Sequence, residues 1–392
     1  MTERLYYTDS YLAEFRARVV GTDADGLRVS LDRTAFYPSS GGQPNDTGTL
    51  AGVAVVDVID EGEQIIHVTA APMTAGEVEG RIDWRRRFDH MQQHSGQHLL
   101  SAVLTDLFRI PTVSFHLGAD SSTIDVAAPS LEPKQILAAE ERANELVAEN
   151  LPIAISFEAA AAVKDLRKES GREGTLRIVS IEGHDRSACG GTHVHATGEI
   201  GPILLRGIER IRGNVRIEFL CGMRAVRRAR VDFDALSRIA RTFSATLDDT
   251  PSLVASQFEA FQAADKTRRK LAGELTRFRG RELYENTPQG PDGSRRATHR
   301  TGGPIDDEVR ALAQGFTAQP GAVFLAVTDD PPSVLLAASS DAGVHAGNML
   351  KTALTKLGGR GGGSAQIAQG SVPSKEALAQ LISELGMALP AM

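Results

Sequence analysis

The chain is poor in cysteine and in aromatic side chains, and it has no long apolar run. Two cysteines among 392 residues leave no disulfide framework and point to a reducing compartment. No stretch is apolar enough to cross a bilayer, and the N-terminal MTERLYYTDSYLAEF lacks the apolar core of a signal peptide. Neither membrane insertion nor secretion is therefore expected, and the cytoplasm is the expected location. An excess of positive charge is also missing. The formal net charge of -7 excludes a nonspecific nucleic-acid coat, though not recognition by a local basic patch. Two such patches occur, one at Arg85, Arg86 and Arg87 and one at Arg224, Arg227, Arg228 and Arg230. Each reads first as a solvated helix face or strand end. What remains is 41% hydrophobic and 24% charged, the balance of a soluble globular protein, and the length suits two or three domains.

Against this background four side chains stand out. His94 and His98 lie one helical turn apart in HMQQHSGQHLLSAVL, so they share a helix face and can grip one ion. Cys189 and His193 lie four apart in SACGGTHV, around two glycines that allow a tight turn. One His-x-x-x-His alone is weak, since packing or solubility places histidines equally well. The second pair makes coincidence far less plausible. Imidazole with thiolate suits zinc rather than calcium or magnesium, which take oxygen ligands.

The periodicities predict an α+β fold rather than a regular alternating parallel sheet. Residues 1–85 read as a β-rich subdomain, with hairpins at ARVVGTDADGLRVSL and VAVVDVIDEGEQIIHVTA and an irregular FYPSSGGQPNDTG between them. Residues 86–222 form a core. Its first helix runs from about Phe88, buries Leu99, Leu100, Val103, Leu104, Leu107 and Phe108, and stops before Pro111. TVSFHLG and STIDVA pair as a hairpin, PKQILAAEERANELVAEN is a second helix, and four strands follow with the CGGTH loop between the second and third. Residues 223–285 read as two antiparallel charged helices broken near Asp248, Asp249 and Pro251, and 286–304 as a flexible linker. Residues 305–392 form a small glycine-rich α/β domain. Its GGRGGGSAQIAQGS run fits neither phosphate-loop fingerprint, and it reads equally as a close-packing turn or an RNA-backbone contact. His116 reads as structural within its strand, His90 as either support for His94 or helix-start polarity, and Cys221 as a buried small residue.

FYPSSGGQPNDTG, HSGQHLL, SACGGTHV and GGRGGGSAQIAQGS, in this order, resemble one family over nearly the whole chain. It is the free-standing alanyl-tRNA editing proteins of the AlaX type in their long form, related to the second half of alanyl-tRNA synthetase. The resemblance implies a zinc-containing editing core, with His94, His98, Cys189 and His193 as ligands of Zn2+. It implies an acyl pocket formed by Gly41, Gly42 and Gln43, with Thr34 reading the seryl hydroxyl. It further implies that residues 305–392 bind tRNA or dimerise. Ser364 stands where alanyl enzymes commonly carry lysine. DHH-type phosphoester cleavage is disfavoured, since no Asp-His-His triplet occurs.

The implied activity is trans-editing: hydrolysis of the ester of tRNA(Ala) wrongly charged with serine, or with glycine. Alanine and serine differ by one hydroxyl, which an apolar pocket rejects poorly and a hydrogen-bonding site reads well. Zinc can polarise the carbonyl or acidify a water. Four protein ligands, however, close a tetrahedral site, as in structural centres. Two alternatives therefore stand: a zinc-stabilised tRNA-binding module without catalysis, and an accessory factor of a synthetase. The implied partners are mischarged tRNA(Ala) and a second copy joined through the C-terminal domain.

Overall fold

The computed structural model describes residues 1–171 and 173–387. Two compact units emerge, Met1–Ile239 and Ala240–Met392, both mixed α and β.

In the first unit, β1 (Glu3–Arg4) pairs in parallel with β4 (Arg33–Thr34). The strands β2 (Glu14–Thr22), β3 (Arg28–Leu31), β5 (Gly48–Leu50), β6 (Val53–Glu61), β7 (Gln64–Thr69) and β8 (Glu77–Ile82) close a barrel in the order β2-β3-β7-β6-β5-β8. Alternation of apolar and charged residues dictates the inside and the outside. In β8 Val78, Gly80 and Ile82 point in while Glu77, Glu79 and Arg81 point out. Leu31, Phe36, Leu50, Val58 and Ile65 fill the barrel with no exposure, and closure leaves no open sheet edge. Both hairpins expected from the sequence are present, and FYPSSGGQPNDTG is the irregular connection from β4 to β5.

Helix α1 (Trp84–Phe108) starts four residues before Phe88, because the Asp83 carboxylate caps it by accepting from the Arg86 N–H. Arg109 in the left-handed region ends it, ahead of Pro111. From Met91 to Leu104 the helix is buried all round, so His94 and His98 are held in rigid surroundings. Leu107 departs from the expected stripe and is 45% exposed, since it lies in the last turn beyond the packed segment. β9 (Thr112–Leu117), β10 (Ser122–Val126), β14 (Ile203–Ile211) and β15 (Asn214–Cys221) form a sheet in the order β14-β15-β10-β9. This sheet and α2 (Pro133–Glu149) share one core with α1, built on Leu99, Leu100, Leu104, Ile124, Ile217 and Phe219. β11 (Ile153–Ala159), β12 (Thr175–Ile181) and β13 (Asp185–Ala188) make a separate antiparallel sheet whose last strand delivers Cys189. α3 (Met223–Phe243) contains the boundary between the units.

The second unit begins with α4 (Thr250–Asn286), of 37 residues. The expected linker at 286–304 is not bare: β16 (Arg295–Arg300) pairs in parallel with β17 (Ala322–Asp329), satisfying its backbone groups in a sheet. With β18 (Pro332–Ala338), β19 (Arg360–Gly363) and β20 (Ile367–Ser371) they form a sheet in the order β16-β17-β18-β20-β19. α6 (Ala346–Lys356) and α7 (Lys375–Glu384) pack on the face bearing Val323, Leu325 and Val327. α5 (Asp307–Thr317) and the C-terminal end of α4 cover the opposite face at Phe316 and Phe324. Within the glycine run, Gly361 and Gly363 let α6 and β20 approach: a Cβ at Gly363 would lie 2.2 Å from the Ile367 carbonyl. Close packing thus explains these two glycines, while Gly362 faces open space.

Candidate metal centre

The four residues singled out in the sequence converge. His94 and His98 present their rings from one face of α1, and Cys189 and His193 come from the turn after β13. Their donor atoms all lie within 4.8 Å of one another. Cys189 Sγ is 3.4 Å from His94 Nε2 and 3.3 Å from His193 Nε2. The turn has to press against α1, and Gly191 permits it: a Cβ there would sit 2.2 Å from His94 Cε1. His94, His98 and His193 are buried.

Each ring is anchored at the nitrogen facing away from the cluster. His94 Nδ1 donates to Gln43 Oε1 at 2.8 Å, and His98 Nδ1 donates to the Asp185 carboxylate at 2.8 Å. An amide oxygen and a carboxylate only accept, so both rings donate through Nδ1 and turn Nε2 inward, leaving that nitrogen as the one to ligate metal. His193 Nδ1 meets the Ser95 hydroxyl at 3.2 Å. Gln43 is buried: its NH2 donates one proton to Thr192 Oγ1 at 2.8 Å, and its oxygen also accepts the Thr192 N–H at 3.1 Å. This differs from the expected role of orienting an acyl group, because the amide oxygen is taken by His94 and Thr192 and Gln43 does not line the cavity over the cluster. Gln43 instead fixes His94 and the CGGTH turn together. Asp185 is similarly braced by Arg167 Nε at 2.7 Å and by Ser187.

The electrostatics favour a thiolate. Burial alone raises the Cys189 thiol, but the neighbouring His94 and His193, by charge and by hydrogen bonding, bring it well below its ordinary value. Burial opposes charge on His98 too, yet its bonds to Asp185 and Cys189 raise it to about 9. Burial, reinforced by the charge of His94, lowers His193 to about 3. Three imidazoles and one thiolate at this spacing fit tetrahedral zinc.

A cavity of about 960 Å³ opens over the cluster, walled by Tyr7, Tyr37, Gly41, Phe115 and Arg177 as well as by His94, His98 and Cys189. Gly41 and Gly42 both adopt positive φ, 53° and 81°, and a Cβ at Gly42 would strike the Phe115 ring at 2.8 Å. Arg177 donates to the carbonyls of Tyr7 and Cys189, and its Nη2 is buried with no partner among the described residues. Thr34 lies elsewhere. It is wholly buried in the barrel and does not line this cavity. Its hydroxyl contacts His67 Nε2 at 2.8 Å and accepts the Phe36 N–H at 3.1 Å.

The other sequence candidates separate cleanly. Arg87 belongs to no surface patch: it is fully buried, bonded to Asp46 at 2.5 Å and to the carbonyls of Ser10 and Ala35. Arg224 is likewise buried against Asp89. His116 is exposed on β9. His90 is buried, with Nδ1 unpartnered among the described residues and its pKa pushed down to about 4 by burial. Cys221 is a buried small residue, packed where Gly96 admits its sulfur. Sequence reasoning missed Asp185, Ser95 and Arg177, which carry no spacing signature.

Comparison with known proteins identifies the family. Residues 176–218 match the family described as threonyl and alanyl tRNA synthetase second additional domain, and residues 304–389 match the DHHA1 domain. The chain is 31% identical over 396 residues to the alanyl-tRNA editing protein AlaX-L of Pyrococcus horikoshii, covering 96% of each. It is 37% identical over 242 residues to the alanyl-tRNA editing protein Aarsd1 of Mus musculus, covering 56% of this chain and 58% of that one. It is 33% identical over 398 residues to the alanine–tRNA ligase of Methanoregula boonei, of which it spans 42%. A match of this extent to AlaX-L, end to end, places the chain in the family of alanyl-tRNA editing proteins, in its long form.

Proposed function

We propose that the protein is a zinc-dependent deacylase that removes serine, or glycine, from mischarged tRNA(Ala). The observation that carries this reading is the anchored set of three imidazoles and one thiolate on the wall of a cavity large enough for an acylated terminal nucleoside. His94, His98, Cys189 and His193 would hold the metal, which supplies a Lewis acid for the ester carbonyl or for water. Gly41 and Gly42 sit on a turn whose amides donate to no protein group among the described residues, so they are the proposed donors to the developing oxyanion. Gln43 is a positioning residue, acting through His94.

Thr34 is the proposed reader of the seryl hydroxyl, a role that requires the buried surroundings of its hydroxyl to open onto the cavity when the acyl group binds. The Val29 carbonyl can only accept, so His67 donates to it through Nδ1, and Thr34 donates its own proton to Nε2. With the Phe36 N–H already accepted, one lone pair remains, and the reading takes the form of accepting from serine. The test is acyl release from seryl-, glycyl- and alanyl-tRNA(Ala) by wild type and Thr34→Val. Serine is expected to leave far faster than alanine in wild type, with the ratio reduced about tenfold or more in the variant. An unchanged ratio would remove Thr34 from recognition.

The four-donor set also supports a second reading, a tRNA-binding module in which a closed zinc site is purely structural. That reading predicts tRNA binding with no acyl release from any of the three substrates. In either reading the second unit is the proposed contributor to tRNA affinity, which is expected to fall steeply with salt.

A further inference from the structure

Among the described residues, five buried side-chain polar atoms have no hydrogen-bond partner. Three of them, Tyr6 Oη, Gln97 Oε1 and Arg177 Nη2, belong to residues that line the cavity over the candidate metal centre. Buried polar groups are nearly always satisfied, and leaving one unpaired costs about 1–3 kcal/mol. Such atoms gathered on one cavity wall therefore point to a ligand that completes them. Arg177 makes the strongest case, because a buried cation costs more than a buried neutral group.

Arg177 lies on β12 and is only 8% exposed. The strand sets it beside the ligand turn: the Cys189 N–H donates to the Arg177 carbonyl at 3.0 Å, and Arg177 Nη1 donates to the Cys189 carbonyl at 2.6 Å. Its Nε donates to the Tyr7 carbonyl at 2.9 Å, and its guanidinium carbon stands 5.7 Å from the centre of the Tyr7 ring. Neutral groups thus hold the guanidinium in place. No carboxylate pairs with it among the described residues. The other two arginines of the wall are both compensated, Arg4 by Asp60 at 2.8 Å and Arg167 by Asp185 at 2.7 Å. Glu169 and Glu173 also line the cavity, but both are exposed. Burial opposes the charge on Arg177, and the nearest offset, the Cys189 thiolate, is already a donor of the metal-type cluster.

We propose that Arg177 is the anion-binding residue of this cavity, taking through Nη2 a phosphate oxygen of the terminal nucleotide while the acyl ester lies over the candidate metal centre. The identity of the ligand rests on the editing reading. An amino acid bound as an ester has lost its carboxylate and keeps only its ammonium, so the anions nearest the reacting bond are phosphodiesters. A guanidinium one hydrogen bond from the Cys189 carbonyl keeps such a group close to the cluster. Charge-assisted bonds to phosphate oxygens are also what a planar guanidinium does better than an ammonium. Nη2 is shielded in the free protein, so the role requires the wall around it to open when the nucleotide binds.

Calorimetric titration of the zinc-loaded full chain with adenosine and with adenosine 5′-monophosphate tests this without any acyl release. The monophosphate is expected to bind at least about tenfold more tightly than the nucleoside, and inorganic phosphate to compete with the monophosphate alone. Arg177→Gln should bring the two affinities within about twofold of each other by weakening the monophosphate only, and Arg177→Lys should keep part of the preference. An arginine that merely braced the Cys189 turn would, on removal, weaken both ligands together. Crystals of the wild type soaked in tungstate, a heavy analogue of phosphate, test the same point without a substitution: the anomalous peak is expected within hydrogen-bond reach of Arg177. Equal affinities in the wild type, a preference that survives Arg177→Gln, or no tungstate at Arg177 would each overturn the proposal. Serine release without the monophosphate preference would remove this subsite and leave the editing reading standing. The preference without serine release would do the reverse.

Discussion

At the scale of single residues, the account turns on what stands behind the metal-type ligands. Gln43 and Asp185 lock the tautomers of His94 and His98. Gln43→Ala and Asp185→Ala are each expected to lower zinc affinity about 10- to 100-fold, measured by competition with a chromogenic chelator. Gln43→Glu should retain much of the affinity, because a carboxylate also accepts from Nδ1. If Gln43→Ala bound zinc like wild type, its role would lie with the substrate after all. His67 gives a separate prediction. Burial holds its pKa at about 4 in the fold against 6.5 in an open chain, the Val29 carbonyl offsetting part of this. The unfolded chain therefore takes a proton first as pH falls. The stability that His67 provides is intact above pH 6.5 and drains away towards pH 4, by about 3 kcal/mol. Urea midpoints measured across that window should fall less steeply in His67→Asn.

At the scale of elements, the four ligands were legible because two local spacings report them: a helical turn for His94 and His98, and a glycine turn for Cys189 and His193. Asp185 and Ser95 were not, since each reaches its histidine through tertiary folding alone, and β13, of four residues, left no periodic signal. The barrel hairpins could be read from alternation, but closure depends on β2 and β5 pairing with β8, contacts distant in sequence. β16 was hidden in a stretch whose glycines and prolines read as linker. Arg87 misled because a run of three arginines looks like a surface patch, whereas this one crosses the core to Asp46 and ties α1 to the loop after β4. Removing one partner of that pair strands a buried charge. Asp46→Ala is expected to cost about 3–5 kcal/mol in chemical denaturation, whereas Arg85→Ala, on the same turn but exposed, should change stability by less than about 0.5 kcal/mol. Equal effects would contradict the assigned burial.

At the scale of the whole molecule, the two units divide the work. The first carries the candidate metal centre, its cavity and the Gly41–Gly42 turn; the second carries the sheet with the glycine-rich edge and the long exposed helix. Nothing in the ligand geometry requires residues beyond Ile239, so the zinc content of the full chain should be insensitive to Phe258→Glu. The central claim is that the cluster of His94, His98, Cys189 and His193 is where the misplaced acyl group is released. The most direct measurement is serine release from seryl-tRNA(Ala) as zinc is titrated back into metal-free protein, with occupancy followed in parallel. The account predicts a rate that rises in proportion to occupancy and reaches its limit at one zinc per chain. Full activity in the metal-free protein, or no release at full occupancy, would contradict it.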